Sequence, residues 1–175
     1  MNFHDTSKKP RELLALTGLE LDEFNVLLPD FKKSLGQSKY TLEGKERKKQ
    51  CINYRNSPLP KVEDKLFFIL VYFKQYPTQS FMGVSFGMSQ PKANLWIHFL
   101  SPALQESLSK VDLLPARDSG GLCDEKEKGS LFSHDATERP IQRPKKDQKT
   151  YYSGKKKTHT IKNNVLANEG CEVIF

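Results

Sequence analysis

Cysteine is scarce in this chain and badly placed for structural use. Cys51, Cys123 and Cys171 are odd in number and far apart, with no Cys-x-x-Cys pair. His4, His98, His134 and His159 fall beside none of them, so neither a disulfide framework nor a zinc site organises the fold. Long apolar runs are also lacking. The most apolar stretch, Leu66 to Phe73, is flanked by charge on both sides and falls far short of the ~20 residues that a membrane span needs. The first residues, Met1-Asn2-Phe3-His4-Asp5, carry neither the basic region nor the apolar core of a secretory signal, so the cytoplasm is the expected compartment. With 175 residues, 37% apolar and 28% charged, the chain has room for one ordinary domain or two small ones.

Acidic residues are few where basic ones are many. Between Ala136 and Lys162 stand Arg139, Arg143, Lys145, Lys146, Lys149, Lys155, Lys156, Lys157 and Lys162, against only Glu138 and Asp147. That segment alone accounts for the formal net charge of +7. A second basic run, Lys45, Arg47, Lys48 and Lys49, precedes the apolar stretch. Such runs attract polyanions, because displacing condensed counterions from phosphate favours binding. A solvated surface, a membrane face or RNA would suit them equally well.

The apolar spacing gives the coarse organisation. Residues 1–9 read as a disordered lead. Arg11 to Leu16 and then Leu21, Phe24, Leu27, Leu28, Phe31 and Leu35 recur at helical intervals, with a break expected at Pro29. Gly36 to Pro60 is polar, basic and turn-rich, a linker or a loosely held hairpin. Val62 to Tyr76 is helical in pattern and apolar nearly all round, so it must be covered by other helices. Pro77 ends it, Thr78 suits an N-cap, and a short helix runs from Gln79 to Phe86. Gly87 supplies the positive φ for leaving that helix, and Ser89 and Pro91 suit the start of the next. This third helix, Gln90 to Leu100, turns Ala93, Trp96, Ile97 and Leu100 to a core and presents Gln90, Lys92 and Asn94 opposite. A separate helix is expected to restart at Ser101-Pro102. Leu114 to Gly129 is a charged, glycine-containing connection. Beyond it the period shortens: Leu131 to Asp135 reads as a short strand ending in an acid, Thr158 to Ala167 as a β-branched strand, Asn168-Glu169-Gly170 as a turn, and Cys171 to Phe175 as another strand.

Two constellations carry chemistry. A long buried helix followed by helix, glycine-containing turn and helix is the layout of a helix-turn-helix, whose second helix reads the major groove from its N-terminal half. Gln90 and Asn94 can bond adenine in bidentate fashion, and Lys92 can reach guanine or phosphate. Any three-helix bundle with a tight turn shares the layout, and it is the neighbouring basic runs that favour DNA. The second constellation is Asp135 at the end of a strand. An acid so placed can hold Mg²⁺ for phosphoryl transfer, but only with partner carboxylates. By itself it reads far more readily as a surface or turn aspartate. His134, its neighbour, points to the opposite face.

Leu66 to Gln79, Phe86-Gly87-Met88-Ser89-Gln90 and Trp96-Ile97-His98 resemble the helix-turn-helix region of bacterial insertion-sequence transposases of the DDE superfamily, in the fifth insertion-sequence family. Asp135 to Pro144 resembles the segment around that family's first catalytic aspartate, and Tyr151 to Lys157 and His159 to Asn163 continue the likeness. Thr17-Gly18-Leu19 and Phe24 to Pro29 fit its N-terminal pattern, so the likeness extends over nearly the whole chain from about residue 11. The resemblance implies a ribonuclease-H-like catalytic domain that binds divalent metal and cuts and rejoins DNA at element ends. Asp135 is the one acid of that site that carries over. The residue after it is glycine in the family and Ala136 here, which would be strained if positive φ were required.

The expected architecture is α+β: an all-α helix-turn-helix bundle over 10–112 (the motif itself about 62–100), a linker over 113–129, and the first strands of a truncated ribonuclease-H-like sheet over 130–175. Expected site residues are Asp135 for catalysis and metal, and Gln90, Lys92, Asn94, Arg139, Arg143, Lys155, Lys156 and Lys157 for DNA. Mg²⁺ or Mn²⁺ belongs to the complete enzyme, the partner is double-stranded DNA, and a downstream frame product or self-association would complete the site. The resemblance thus allows three outcomes: the front part of a transposase completed by frameshifting, an inactive remnant, or a stand-alone DNA-binding repressor of transposition. On any of them the chain alone is not expected to cleave DNA. A basic RNA-binding protein fits less well, for want of an exposed-aromatic stacking motif.

Overall fold

A computed structural model of the chain describes residues 1–47, 56–111, 113–115, 133–168 and 173. All three cysteines, Lys48, Lys49, the connection from 116 to 132 and the expected turn at 168–170 beyond Asn168 lie outside the described residues. The class is mixed: helices first, then a small antiparallel sheet. The chain divides into two compact units, Met1–Leu113 and Leu114–Phe175.

The first unit is helical. Its helices are α1 (Phe3–Thr6), α2 (Pro10–Thr17), α3 (Leu21–Gln37), α4 (Val62–Gln75), α5 (Gln79–Ser85) and α6 (Gln90–Lys110). Helix α4 is the centre of it: Leu66, Phe67, Phe68 and Ile69 are wholly buried, and Leu70 and Val71 nearly so. A helix apolar on all sides must be surrounded, and α2, α3 and α6 all pack on it. Only its last turn emerges, with Phe73 and Tyr76 exposed. Phe68 meets Phe86 edge-on at 4.9 Å, and Phe67 lies 5.9 Å from the same ring. None of the helices among the described residues is long and apolar enough to cross a membrane.

Three sequence expectations are corrected here. Residues 1–9 are not a disordered lead: Phe3 stacks on Phe24 at 4.4 Å, and its N–H donates to Asp64 at 3.2 Å. One half-buried aromatic stacked on the core and one backbone bond to Asp64 suffice to fix a four-residue helix. Pro29 does not break α3, nor does Pro102 separate two helices; both lie inside continuous helices. The reason is their placement. Each is exposed, so the carbonyl it orphans, of Asn25 and of His98, is on the side that faces water. Phe24, Leu27, Phe31 and Leu35 on α3, and Leu100, Ala103 and Leu104 on α6, bury the other side. Ser89 occupies the N-cap of α6 as expected, though without a side-chain bond there. Between α3 and α4, the 39–47 segment is a hairpin-like turn, with Tyr40 bridged to Glu46 and Gly44 at φ 76°.

The second unit is a sheet of order β1-β3-β2, with β1 (Ser133–Pro140), β2 (Tyr152–Ser153) and β3 (Thr158–Ala167) all antiparallel, and a one-turn helix α7 (Gln148–Tyr151) before β2. The β-branched run predicted over Thr158 to Ala167 is β3. Asp135 is not at the end of its strand but third of eight residues, paired with Val165. Of the further strand expected at 171–175, Val173 alone is described, bridged to Ala167.

Candidate nucleic-acid interface

Helices α5 and α6 meet through a turn of four residues, Phe86 to Ser89. Thr78 caps α5 by accepting the N–H of Phe81 at 3.2 Å. At the other end, the Met88 N–H donates to the Gly83 carbonyl at 2.8 Å, and Gly87 leaves the helix at φ 66°. The approach is so close that a Cβ on Gly83 would lie 2.7 Å from the Met88 carbonyl oxygen and 3.2 Å from the Gln90 nitrogen. Thus two glycines fix the corner, Gly87 by its φ and Gly83 by having no side chain. Met82 and Phe86 then pin α5 to α4 from below, while Ala93, Trp96, Ile97 and Leu100 seat α6.

The side chains of α6 sort into three faces. Its buried stripe leaves Pro91, Leu95, His98 and Pro102 on the outermost line, at intervals of four, three and four. Gln90 and Asn94 flank that line on the α5 side, where both amides donate to Oε1 of Gln79, at 2.6 and 3.0 Å. Lys92 is on the other flank, half-buried beside Trp96 and the 41–47 hairpin. The sequence reading put Gln90, Lys92 and Asn94 on one face. Positions two apart on a helix point in nearly opposite directions, so only Gln90 and Asn94 share one. Leu95 and His98, which that reading left out, are more exposed than Asn94.

Beside Lys92 lies a polar group of residues that sequence reasoning missed. Lys65, 1% exposed, sits with its ammonium 5.8 Å from the Trp96 ring centroid and donates to the Lys61 carbonyl at 3.3 Å. Arg47 lies over Phe99 at 5.5 Å and donates through Nη1 to the Leu35 carbonyl. Buried Nε of Arg47 and Nε1 of Trp96 find no acceptor among the described residues, each an expense of about 1–3 kcal/mol when left so. The one hint in the sequence was a lysine, Lys65, set directly against an apolar run.

In the sheet unit, Lys155, Lys156 and Lys157 form the exposed tip of the β2–β3 turn, with Lys157 at φ 53°. Arg139 is exposed on β1, and Arg143 is tied by two bonds to Gln148 Oε1. Asp135 is exposed and accepts the N–H of Ala136 at 2.7 Å. Ala136 is extended and free of positive φ, so the strain expected there does not arise. Among the described residues, no three potential metal-ligating side chains come together. His134 and Glu138 lie one and three places from Asp135 on the same strand, and so on the other face. Glu138 instead accepts from Ser153 at 2.7 Å and faces Lys162 at 3.6 Å. The Ser153 hydroxyl, and then the charge of Lys162, hold its carboxyl below the usual range.

The class these features define is a helix-turn-helix protein with an appended basic sheet module. Comparison with known proteins narrows it. Residues 57–110 match the family model described as the helix-turn-helix of DDE superfamily endonuclease. The chain is 28% identical over 146 residues to the "Probable transposase for insertion sequence element IS702" of Microchaete diplosiphon, an alignment covering 79% of this chain and 51% of that protein. It therefore resembles an insertion-sequence DDE transposase, and it spans about half the length of the curated relative it matches. No solved structure matches it.

Proposed function

We propose that this chain is the DNA-end-binding portion of an insertion-sequence transposase. The observation that carries this is the α5–α6 corner, built on the Gly83–Met88 close approach within the matched segment. Helix α6 enters the major groove with its N-terminal half. Gln90 and Asn94 read adenine edges, with Gln79 holding both amides in orientation, and Leu95 and His98 lie alongside for thymine methyl and polar contacts. Arg139, Arg143 and the Lys155–Lys157 tip supply phosphate contacts, which position the protein on the duplex but carry no sequence information.

The sheet module is proposed as the opening strands of a ribonuclease-H-like catalytic domain, with Asp135 as the first acid of a Mg²⁺ or Mn²⁺ site. What supports this is the likeness to the transposase relative together with the placement of Asp135 on a strand paired over eight residues. The described residues do not supply a donor set for two metals, so strand cleavage needs further carboxylates. A second reading is that of a DNA-binding repressor which occupies element ends without cutting them, and the matched helix-turn-helix segment supports it as it does the first.

The test is selection of duplexes from a random pool by the full chain. Enrichment of a defined motif, altered when Gln90 and Asn94 are both changed to alanine, is the expected result. A pool left unenriched under conditions where the protein is folded would refute base reading by α6.

A further inference from the structure

Between the 41–47 hairpin and α6 is a hollow of about 400 Å³. Its walls carry Lys45, Arg47, Lys65 and Lys92, with Trp96 and Phe99 behind them. Among the described residues Glu43 is the one carboxylate there, and it is paired with Lys45 at 3.5 Å. Two features set the hollow apart from an ordinary basic surface. The first is burial: Lys65 is 1% exposed and Trp96 3%. The second is that Trp96 Nε1 and Arg47 Nε are buried donors without acceptors among the described residues. Excess positive charge, apolar walls and unpaired N–H groups together describe a receptor for an oxyanion.

We infer that this hollow is a phosphate-binding pocket that seats one backbone phosphate of the DNA bound by α6. The inference rests on the proposed DNA-binding function and adds a site to it. Lys92 is common to both regions: it lies in the first turn of α6, on the flank away from Gln90 and Asn94. A duplex entered by the N-terminal half of α6 brings a sugar-phosphate strand along that flank. Lys45, Arg47 and Lys92 balance the phosphate charge, and binding uncovers Trp96 Nε1 and Arg47 Nε, both closed to solvent in the free chain, for the phosphate oxygens to accept from. The pocket then sets the register of the recognition helix, and the bases seen by Gln90 and Asn94 depend on it.

Trp96 is the sole tryptophan, so its indole N–H gives a single resonance in a ¹⁵N-correlated spectrum of the full chain. The experiment adds a random-sequence 30-base-pair duplex or, separately, inorganic phosphate, and follows that resonance alongside binding anisotropy at several salt concentrations. With duplex, the indole resonance should move downfield in a saturable way. In K45Q/K92Q the shift should be lost, and the slope of log K against log salt should fall by about 1, for the one phosphate seated there. In Q90A/N94A the indole shift should persist. Duplex binding with no indole shift, or an unchanged salt slope in K45Q/K92Q, overturns the pocket but leaves the DNA-binding reading intact. A shift with inorganic phosphate but none with duplex overturns it too, and makes the hollow a small-anion site. Absence of duplex binding by the unaltered chain defeats both readings.

Discussion

Replacing Gly83 with alanine sets two effects of opposite sign against each other. In the interior of a helix, alanine is favoured over glycine by about 1 kcal/mol, and Gly83 has no positive φ to forbid a side chain. Propensity alone therefore predicts a more stable protein. Against this, the new methyl would lie 2.7 Å from the Met88 carbonyl oxygen. That oxygen belongs to a backbone held in place, because the Met88 N–H is bonded to the Gly83 carbonyl at 2.8 Å. No rotamer change relieves the clash, so α5 must move off the turn. Overpacking of this kind costs about 1–3 kcal/mol. The expected net is a loss of up to about 2 kcal/mol, or as much as roughly 10 °C in Tm for a unit of this size. Trp96 fluorescence follows it directly, since the single indole is buried in α6. S80A, on an exposed position of the same helix, serves as the control and should gain a few tenths of a kcal/mol. A G83A protein as stable as S80A would mean that the corner is not closely packed, and the argument for a built helix-turn-helix would fall with it.

Changing Phe67 to alanine, at the wholly buried centre of α4, should cost about 3–5 kcal/mol, measured by urea unfolding with the same fluorophore. P29A and P102A should each stabilise the first unit by about 1–2 kcal/mol. A main-chain bond is restored in mid-helix, partly offset by a looser unfolded chain; a loss of stability in either would show that the ring itself packs. In the sheet unit, Glu138 has its pKa lowered on folding, so it contributes stability that is complete above the ordinary glutamate range. That contribution should decline as the pH falls from about 4.5 toward the lower folded value. E138Q should flatten this dependence, as followed by circular dichroism of the full chain. D135A should leave both thermal unfolding and duplex affinity unchanged, because the carboxylate bonds only to its neighbouring amide among the described residues. A large drop in Tm would give Asp135 a structural role in place of the catalytic one proposed.

The elements that depend on local rules were legible. The apolar run of α4, the Thr78 cap, the positive φ of Gly87 and the β-branched run of β3 all follow from a few neighbouring residues. Where the reading failed, the deciding interaction was remote in sequence. Pro29 and Pro102 look like breaks until it is known which side of each helix faces water. Phe3 looks like part of a loose terminus until Phe24 is placed against it. Even Gly83 passed as an unremarkable helix residue, since the backbone it must clear belongs to the following turn.

The same distinction explains the site. A helical wheel drawn for α6 alone gives one buried stripe and leaves everything else as surface, so Gln90, Lys92 and Asn94 seemed interchangeable. The fold divides that surface by what stands beside it. Gln79 on α5 takes hold of Gln90 and Asn94, while the 41–47 hairpin brings Arg47 to the flank of Lys92, where Lys65 comes from α4. No local pattern in the sequence joins residues 47, 65, 92 and 96. Their meeting requires the hairpin to fold back on α6 and α4 to run beneath both. It follows that the charge of the basic run is less informative than its position: of Lys45 and Arg47, the arginine is the one whose guanidinium is ordered over an aromatic ring and still has a buried N–H to give. A phosphate contact made there is fixed relative to α6 and so can specify register, whereas contacts from freely exposed lysines chiefly add salt-dependent affinity.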